Sequence, residues 1–371
     1  MIKRIAILTG GGHISSFHSG IKRIVVEAQF KGIEVIGFKD GYKGAKEGNY
    51  CILNKMSIPA ELAGSCLGST REKADERIKK TIQNLGIDAL IVMGGDDHLS
   101  EAVKLCDMGA PVVGWPKTMD NDLSETYFCL GYPTAVEVAA NMLRCAHMNA
   151  QTHNRIHLVT MFGRNTDWVV AGAAAWGHAD IVVPCEQEYK FDYVFDKIQE
   201  AAEKNLSDYG RRFAVVAVAE GAKIKGLESH LKEDEMDVHG NPKIEPMQLA
   251  LVLKDAFKKR SENCISIDSI SYLMRDSPPV YVDKGCGELS GQLAFTLASA
   301  GMFGNSVRIN KVRGEMGISP TSLEKVAKKR FLKPEGFIDY ENLKVKDSFR
   351  EYYTPLFGEP VERQILIYPS G

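Results

Sequence analysis

Short apolar runs of strand length recur along the chain, each closed by glycine or a polar turn. They are Ile5–Thr9, Glu34–Phe38, Asp88–Met93, Pro111–Trp115, Arg155–Met161, Ile181–Pro184, Phe213–Ala219 and Cys264–Leu273. Between them apolar residues fall three and four apart, as on one face of a helix. Helical patterns cover Phe17–Phe30, Arg71–Leu85, Thr134–Met148, Val169–Trp176 and Pro246–Arg260, and Leu99, Ala102, Val103 and Cys106 mark another. Strands alternating with helices predict an α/β fold with mainly parallel sheets and helices on both faces. Residues 41–68 are turn-rich, and Lys223–Pro242 reads as a polar surface excursion. In such folds ligands gather at the carboxyl ends of strands.

The chemistry-bearing residues collect where these strands end. Gly94-Gly95-Asp96-Asp97 lies between an apolar run and a helical pattern, so two glycines and two carboxylates sit at a strand-to-helix turn. Glycine there lets backbone N–H groups approach an anion, and the helix N-terminus adds partial positive charge. Carboxylates beside a phosphate site imply a divalent cation between them, which makes Asp96 the candidate Mg²⁺ contact. The next strand end repeats the layout with Pro116-Lys117-Thr118-Met119-Asp120-Asn121-Asp122. A cation-binding acid, a phosphate-binding lysine and a candidate base, Asp120, are the parts of a phosphoryl transferase. Gly10-Gly11-Gly12 closes the first run and reads either as a phosphate cradle or as a tight turn; no P-loop accompanies it.

Gly-Gly-Asp-Asp followed by Pro-Lys-Thr-Met-Asp-Asn-Asp resembles the phosphofructokinases, and the likeness runs from Ile2 to about Gly301. Asp97 and Lys117 look like the pyrophosphate-using branch; the ATP-using branch usually has glycine at both places. The resemblance implies two three-layer domains with the active site in the cleft between them. The first takes residues 1–131 and about 274–304, the second 132–273 and about 305–371. It implies a donor site of Gly11, Gly12, Arg71, Gly95, Asp97 and Lys117, with Asp120, Lys117 and Asp97 catalytic. It implies an acceptor site of Thr118, Met119, Asp120, Asp122, Arg155, Phe162, Gly163, Arg164, Glu220, Tyr272 and Arg275. The three arginines suit an anion pocket, arginine being fitted to two-point recognition of phosphate. Arg155 is the residue the family sends across to a neighbouring subunit. Arg71 alone reads equally as a solvated first-turn residue. A lysine about 4 Å from a phosphate oxygen gains on the order of 4 kcal/mol at an effective dielectric near 20, before desolvation. Asp97 adds bulk and negative charge where a nucleotide's inner phosphate would lie, a repulsive device against ATP.

This chain departs from the family at several places. His13 and His18 stand where Asp and Asn are usual, Phe162 replaces Met, and Asp276-Ser277 replaces two glycines. Ser266 stands where a second subunit-crossing arginine is expected. His98 follows the paired aspartates without any companion at metal-ligand spacing, and reads as a packing residue. The implied reaction is transfer from pyrophosphate to fructose 6-phosphate. Alternatives are another acceptor such as sedoheptulose 7-phosphate, ATP as donor, or a non-catalytic sensor.

The chain has 371 residues, enough for two domains, with 44% hydrophobic and 25% charged residues and a net charge of −2. That balance offers no general attraction to nucleic acid or anionic membrane, and no apolar run has transmembrane length. Eight cysteines without a Cys-x-x-Cys pair predict free thiols in a reduced, cytoplasmic protein. The family likeness implies a homodimer or homotetramer. No chemical motif marks the residues after 307.

Overall fold

A computed structural model of the chain describes residues 2–227, 231–236, 242–244, 246–261 and 264–368. They divide into two compact units: Met1–Thr134 with Arg275–Arg330, and Ala135–Met274 with Phe331–Gly371.

The first unit opens with strand β1 (Arg4–Thr9), helix α1 (Phe17–Phe30), β2 (Glu34–Phe38), a short α2 (Tyr42–Glu47) and β3 (Tyr50–Ile52). It continues with α3 (Glu76–Asn84), β4 (Ala89–Gly94), α4 (Asp96–Asp107) and β5 (Val112–Pro116). β1, β2, β4 and β5 are parallel, as the buried apolar runs required. Side chains alternate between the sheet's two faces. Ala6, Leu8, Leu90, Val92 and Val112 point into a core completed by Ile78 and Ile82 of α3 and Leu99 and Leu105 of α4. Trp115 faces the other way, against Phe17 of α1.

Helix α5 (Tyr132–His153) leads into the second unit. There follow β6 (Ile156–Met161), α6 (Trp168–Gly177), β7 (Ile181–Val183), β8 (Glu188–Lys190), α7 (Phe191–Tyr209) and β9 (Ala214–Ala219). Next come β10 (Lys223–Lys225), β11 (Leu231–Met236), β12 (Pro242–Ile244), α8 (Pro246–Lys258), β13 (Ile265–Ser269) and α9 (Leu273–Asp276). The sheet order is β13-β6-β9-β7, all parallel. Val194, Ile198 and Ala202 of α7 and Leu249, Leu253 and Phe257 of α8 cover one face. The expected polar excursion in part pairs with itself: β11 runs antiparallel to β12, while 228–230 and 237–241 lie outside the described residues.

The chain then returns to the first unit through α10 (Tyr281–Ser299), β14 (Asn305–Val312), β15 (Glu315–Ser322) and α11 (Leu323–Val326). Two short strands, β16 (Ile338–Asp339) and β17 (Lys344–Val345), and α12 (Asp347–Phe357) complete the second. The expectation that everything past about 305 joins the second domain is corrected here. β14 takes its place beside β5, giving the order β15-β14-β5-β4-β1-β2-β3, and Leu323 and Val326 are buried in the first core. A strand's partner is a long-range choice that its own residues do not announce. The expected helix Arg71–Leu85 is also shortened. Asp75 accepts a hydrogen bond from the Arg77 N–H and caps α3, so Arg71 lies before the helix.

α1 and α10 pack through glycine. A Cβ on Gly291 would lie 2.5 Å from the Gly20 carbonyl oxygen. Alanine is favoured over glycine within a helix by about 1 kcal/mol, but overpacking costs about 1–3 kcal/mol. Gly291→Ala is therefore expected to lower the urea unfolding midpoint, and an unchanged or higher midpoint would show that the helices can separate freely.

Candidate active site

The turn after β1 is glycine because side chains from elsewhere lie on it. A Cβ on Gly10 would fall 1.8 Å from the His98 ring, and one on Gly12 2.5 Å from the Arg275 guanidinium. Gly11 has φ +75°, the left-handed region that glycine adopts without strain. The Gly10 N–H continues the β1–β4 ladder to the Met93 carbonyl at 2.9 Å. His98 is buried, stacks on Tyr42 at 5.3 Å, and shares a 2.9 Å hydrogen bond with the Thr70 carbonyl. It packs the turn from beneath, as the sequence reading had it.

Lys117 leaves the end of β5 and reaches back to this turn. Its Nζ donates to the Gly12 carbonyl at 2.6 Å, lies over the Phe17 ring at 5.2 Å, and is only 2% exposed. Burial, then the neighbouring Arg275 charge, holds its ammonium down to about 7, against the pull of Asp96, Asp120 and Asp122. Arg275 in turn directs Nε at the Met119 sulfur, 3.1 Å away.

Gly95 precedes α4, and Asp96 and Asp97 form its acidic first turn. Carboxylates there favour the helix by about 0.3–1 kcal/mol each. The loop 117–122 lies beside them. The Thr118 Oγ1 accepts the Asp120 N–H at 3.1 Å, and Asn121 has a left-handed φ of 55°. The Asn121 side-chain oxygen accepts from the Cys129 N–H at 2.8 Å and from Arg330 at 2.7 Å. Arg330 also donates to the carbonyls of Asn121 and Thr126. Asp122 is buried, and its Oδ1 has no hydrogen-bond partner. Burial, then the charges of Asp120 and Asp96, push its carboxyl up to about 8, with Lys329 opposing.

Crowded carboxylates with an orphaned oxygen are the surroundings that a divalent cation relieves. Among the described residues no three acidic, histidine or cysteine side chains form a complete cage. Mg²⁺ takes one or two carboxylates and fills its shell with water and phosphate oxygens.

Two departures from the family pattern meet in space. His13 Nε2 and Asp276 Oδ1 are 2.5 Å apart, so the histidine and the added aspartate form one pair. His18 accepts the Cys66 N–H and shares a bond with the Leu62 carbonyl, tying down the 59–68 loop. Asp283, fully buried, accepts from Ser15, Ser16, Thr134 and the Gly131 N–H, joining the glycine turn's exit to the start of α5.

The acceptor candidates of the second unit gather at the carboxyl ends of β6 and β9. The Gly221 N–H donates to the Gly163 carbonyl, and a Cβ on Gly221 would lie 2.0 Å from the Arg164 carbonyl oxygen. Glu220 is buried beside them, and Phe162 meets the exposed Tyr272 edge-on at 5.7 Å. Arg155 is elsewhere. It precedes β6, and the strand between it and Phe162 spans roughly 20 Å. Arg155 and Arg164 occupy opposite ends of one strand and do not share a pocket within a single chain; the resemblance sends Arg155 to a neighbouring subunit. Arg155 instead donates to Ser266 Oγ at 3.0 Å.

Sequence reasoning missed Lys329 and Arg330. Their only signal was the basic triplet Lys328-Lys329-Arg330 in a stretch without motifs.

Glycine turn, lysine and paired carboxylates lie together at the ends of adjacent parallel strands of one α/β sheet, an arrangement suited to holding a phosphate group. Residues 4–298 match the family model described as Phosphofructokinase, and the chain belongs to that family. It is 34% identical over 326 residues to ATP-dependent 6-phosphofructokinase 3 of Streptomyces coelicolor, covering 84% of this chain and 92% of the relative. It is 33% identical over 314 residues to pyrophosphate–fructose 6-phosphate 1-phosphotransferase of Dictyoglomus thermophilum, covering 82% and 89%. The crystal structure of a pyrophosphate-dependent phosphofructokinase from Marinobacter aquaeolei superposes with a TM-score of 0.80 at 19% identity, over 100% of this chain and 99% of that one, which establishes the fold. No helix among the described residues is long and apolar enough to cross a membrane.

Asp122 makes stability depend on pH. In the unfolded chain its carboxyl ionises near about 3.9, in the folded one near about 8. Between these values the folded state retains a proton that the unfolded state has lost, so this contribution falls as pH rises through about 8. Asp122 should therefore cost the metal-free protein stability between about pH 4 and pH 8, a decline that Asp122→Asn should remove, while Lys117, held down to about 7, acts in the opposite direction above that pH. Urea unfolding across that range checks this, and Mg²⁺ at the alkaline end should restore the parent protein more than the variant.

Proposed function

We propose that this phosphotransferase moves a phosphoryl group from pyrophosphate to the 1-hydroxyl of fructose 6-phosphate. The observation that carries the donor reading is the Lys117 ammonium seated on the Gly12 carbonyl. It fills the glycine turn, and Asp97 adds negative charge in the first turn of α4. A nucleotide's inner phosphate meets both; pyrophosphate has no such portion. Relatives of both donor types resemble the chain, so donor choice rests on these two side chains.

In this reading Asp120 accepts the proton of the acceptor's 1-hydroxyl. The oxygen then attacks the nearer phosphorus, the bridging P–O bond breaks, and orthophosphate leaves against Lys117. Gly11, Gly12, Gly95 and Arg71 hold the donor. Asp96, with Asp122 nearby, would hold Mg²⁺, which would supply neutralising charge to the donor. Thr118, Met119, Asp122, Phe162, Gly163, Arg164, Glu220, Tyr272 and Arg275 orient the sugar phosphate, and Arg155 serves a neighbouring subunit in a homodimer or homotetramer. The protein works in the cytoplasm.

A second acceptor is favoured by one observation. Ser266 replaces a family arginine and binds Arg155, leaving one guanidinium fewer for a distal phosphate. Sedoheptulose 7-phosphate is the acceptor to compare.

Assay of pyrophosphate and ATP against both sugars with Mg²⁺ should give turnover with pyrophosphate and little with ATP; an ATP-only enzyme refutes the donor reading. Asp120→Ser should lower kcat by about 10²–10⁴-fold with binding retained. Unaltered turnover in that variant would remove Asp120 as base, and absence of any turnover in the parent with ligand binding intact would make the protein a sensor. Asp97→Gly should admit ATP, whereas Lys117→Gly should raise the KM for pyrophosphate.

A further inference from the structure

The cation nearest Asp96 comes from a stretch with no phosphate-binding motif. Lys329 Nζ lies 2.9 Å from Asp96 Oδ2, both side chains partly buried. Its main chain is fixed on each side. The Ser124 N–H donates to the Lys328 carbonyl and the Arg330 N–H to the Asp122 carbonyl, both at 2.8 Å. Leu123 and Lys329 thus face each other in an antiparallel bridge. The Arg330 guanidinium locks the same stretch to Asn121 and Thr126. Lys329 is delivered to Asp96 by backbone pairing with the loop that carries Asp120 and Asp122.

A half-exposed ion pair contributes about 0–1 kcal/mol to stability, too little to account for such anchoring by itself. Its effect on ligands is larger. An ammonium and a divalent cation compete for one carboxylate. Lys329 also feels the charges of Asp122 and Asp97, so it offsets part of the charge of the acidic cluster while the donor is absent. Pyrophosphate brings oxygens that offer the ammonium new partners.

We propose that Lys329 is a positioning residue that occupies Asp96 in the donor-free protein. It releases Asp96 to the divalent cation when pyrophosphate arrives, so metal and donor bind as a coupled pair. Such coupling is reciprocal: whatever factor the donor adds to metal affinity, the metal adds to donor affinity. The inference rests on reading Asp96 as the metal contact.

The test is Mn²⁺ binding to the full chain, by electron paramagnetic resonance or calorimetry, without donor and with methylenediphosphonate, a non-hydrolysable pyrophosphate analogue. The parent protein should bind Mn²⁺ weakly alone and more tightly with the analogue. Lys329→Gln should bind Mn²⁺ alone about tenfold more tightly and show a correspondingly smaller gain from the analogue, within the usual coupling range of about 5–150-fold. Lys329→Arg, which keeps the charge, should behave as the parent. Thermal unfolding confirms that each variant is folded, and Lys329→Met gives the same readout should the glutamine variant not fold. If Asp96→Asn abolishes Mn²⁺ binding while Lys329→Gln binds as weakly as the parent, the role of Lys329 is refuted. If Asp96→Asn leaves Mn²⁺ binding unchanged, Asp96 is not the metal contact, and the reading beneath the inference falls with it.

Discussion

Charges of both signs crowd the strand ends of the first unit, and burial displaces the ionisation of two of them in opposite directions. Lys117 is buried beside Arg275 and its pKa falls to about 7. Asp122 is buried beside Asp120 and Asp96 and its pKa rises to about 8. Each shift records the same physics: burial penalises the charged form, and a like charge nearby adds to the penalty. A polyanion with a divalent cation answers both problems together, the anion meeting the ammonium and guanidinium and the cation meeting the carboxylates. Preorganised charge of this kind is what phosphoryl transfer asks of a protein, because little covalent work is required.

Holding such an arrangement together needs supports that take no part in the chemistry. His98 fills the space under Gly10, Asp283 gathers four donors around the exit of the glycine turn, and Arg330 clamps Asn121. The close α1–α10 contact at Gly20 and Gly291 fixes the helix that follows the turn. The His13–Asp276 pair shows the same logic in the departures: a changed residue is matched by a changed partner 263 positions away.

The parallel strands and their order of appearance were legible because buried apolar runs and helical spacing are local signals. The heptapeptide around Asp120 was legible because its chemistry is dense within a few residues. Other features were not. Arg71 lay inside an apparent helical pattern until Asp75 was seen to cap α3. Arg155 and Arg164 looked like neighbours in function, yet a strand's length separates them. The segment after 305 carried no motif, and still it supplies a sheet strand beside β5 and a cation for Asp96.

By itself the order of residues determined the α/β class and the family's kind of reaction, and it set glycines, a lysine and carboxylates at the strand ends, since those depend on short-range pattern and on side-chain chemistry. Tertiary structure alone decided which distant groups share an electrostatic field. It brought Lys329 to Asp96, seated Lys117 on Gly12 and paired His13 with Asp276. The reason is that charge interaction and burial depend on distance through space, which neither spacing nor composition along a chain encodes.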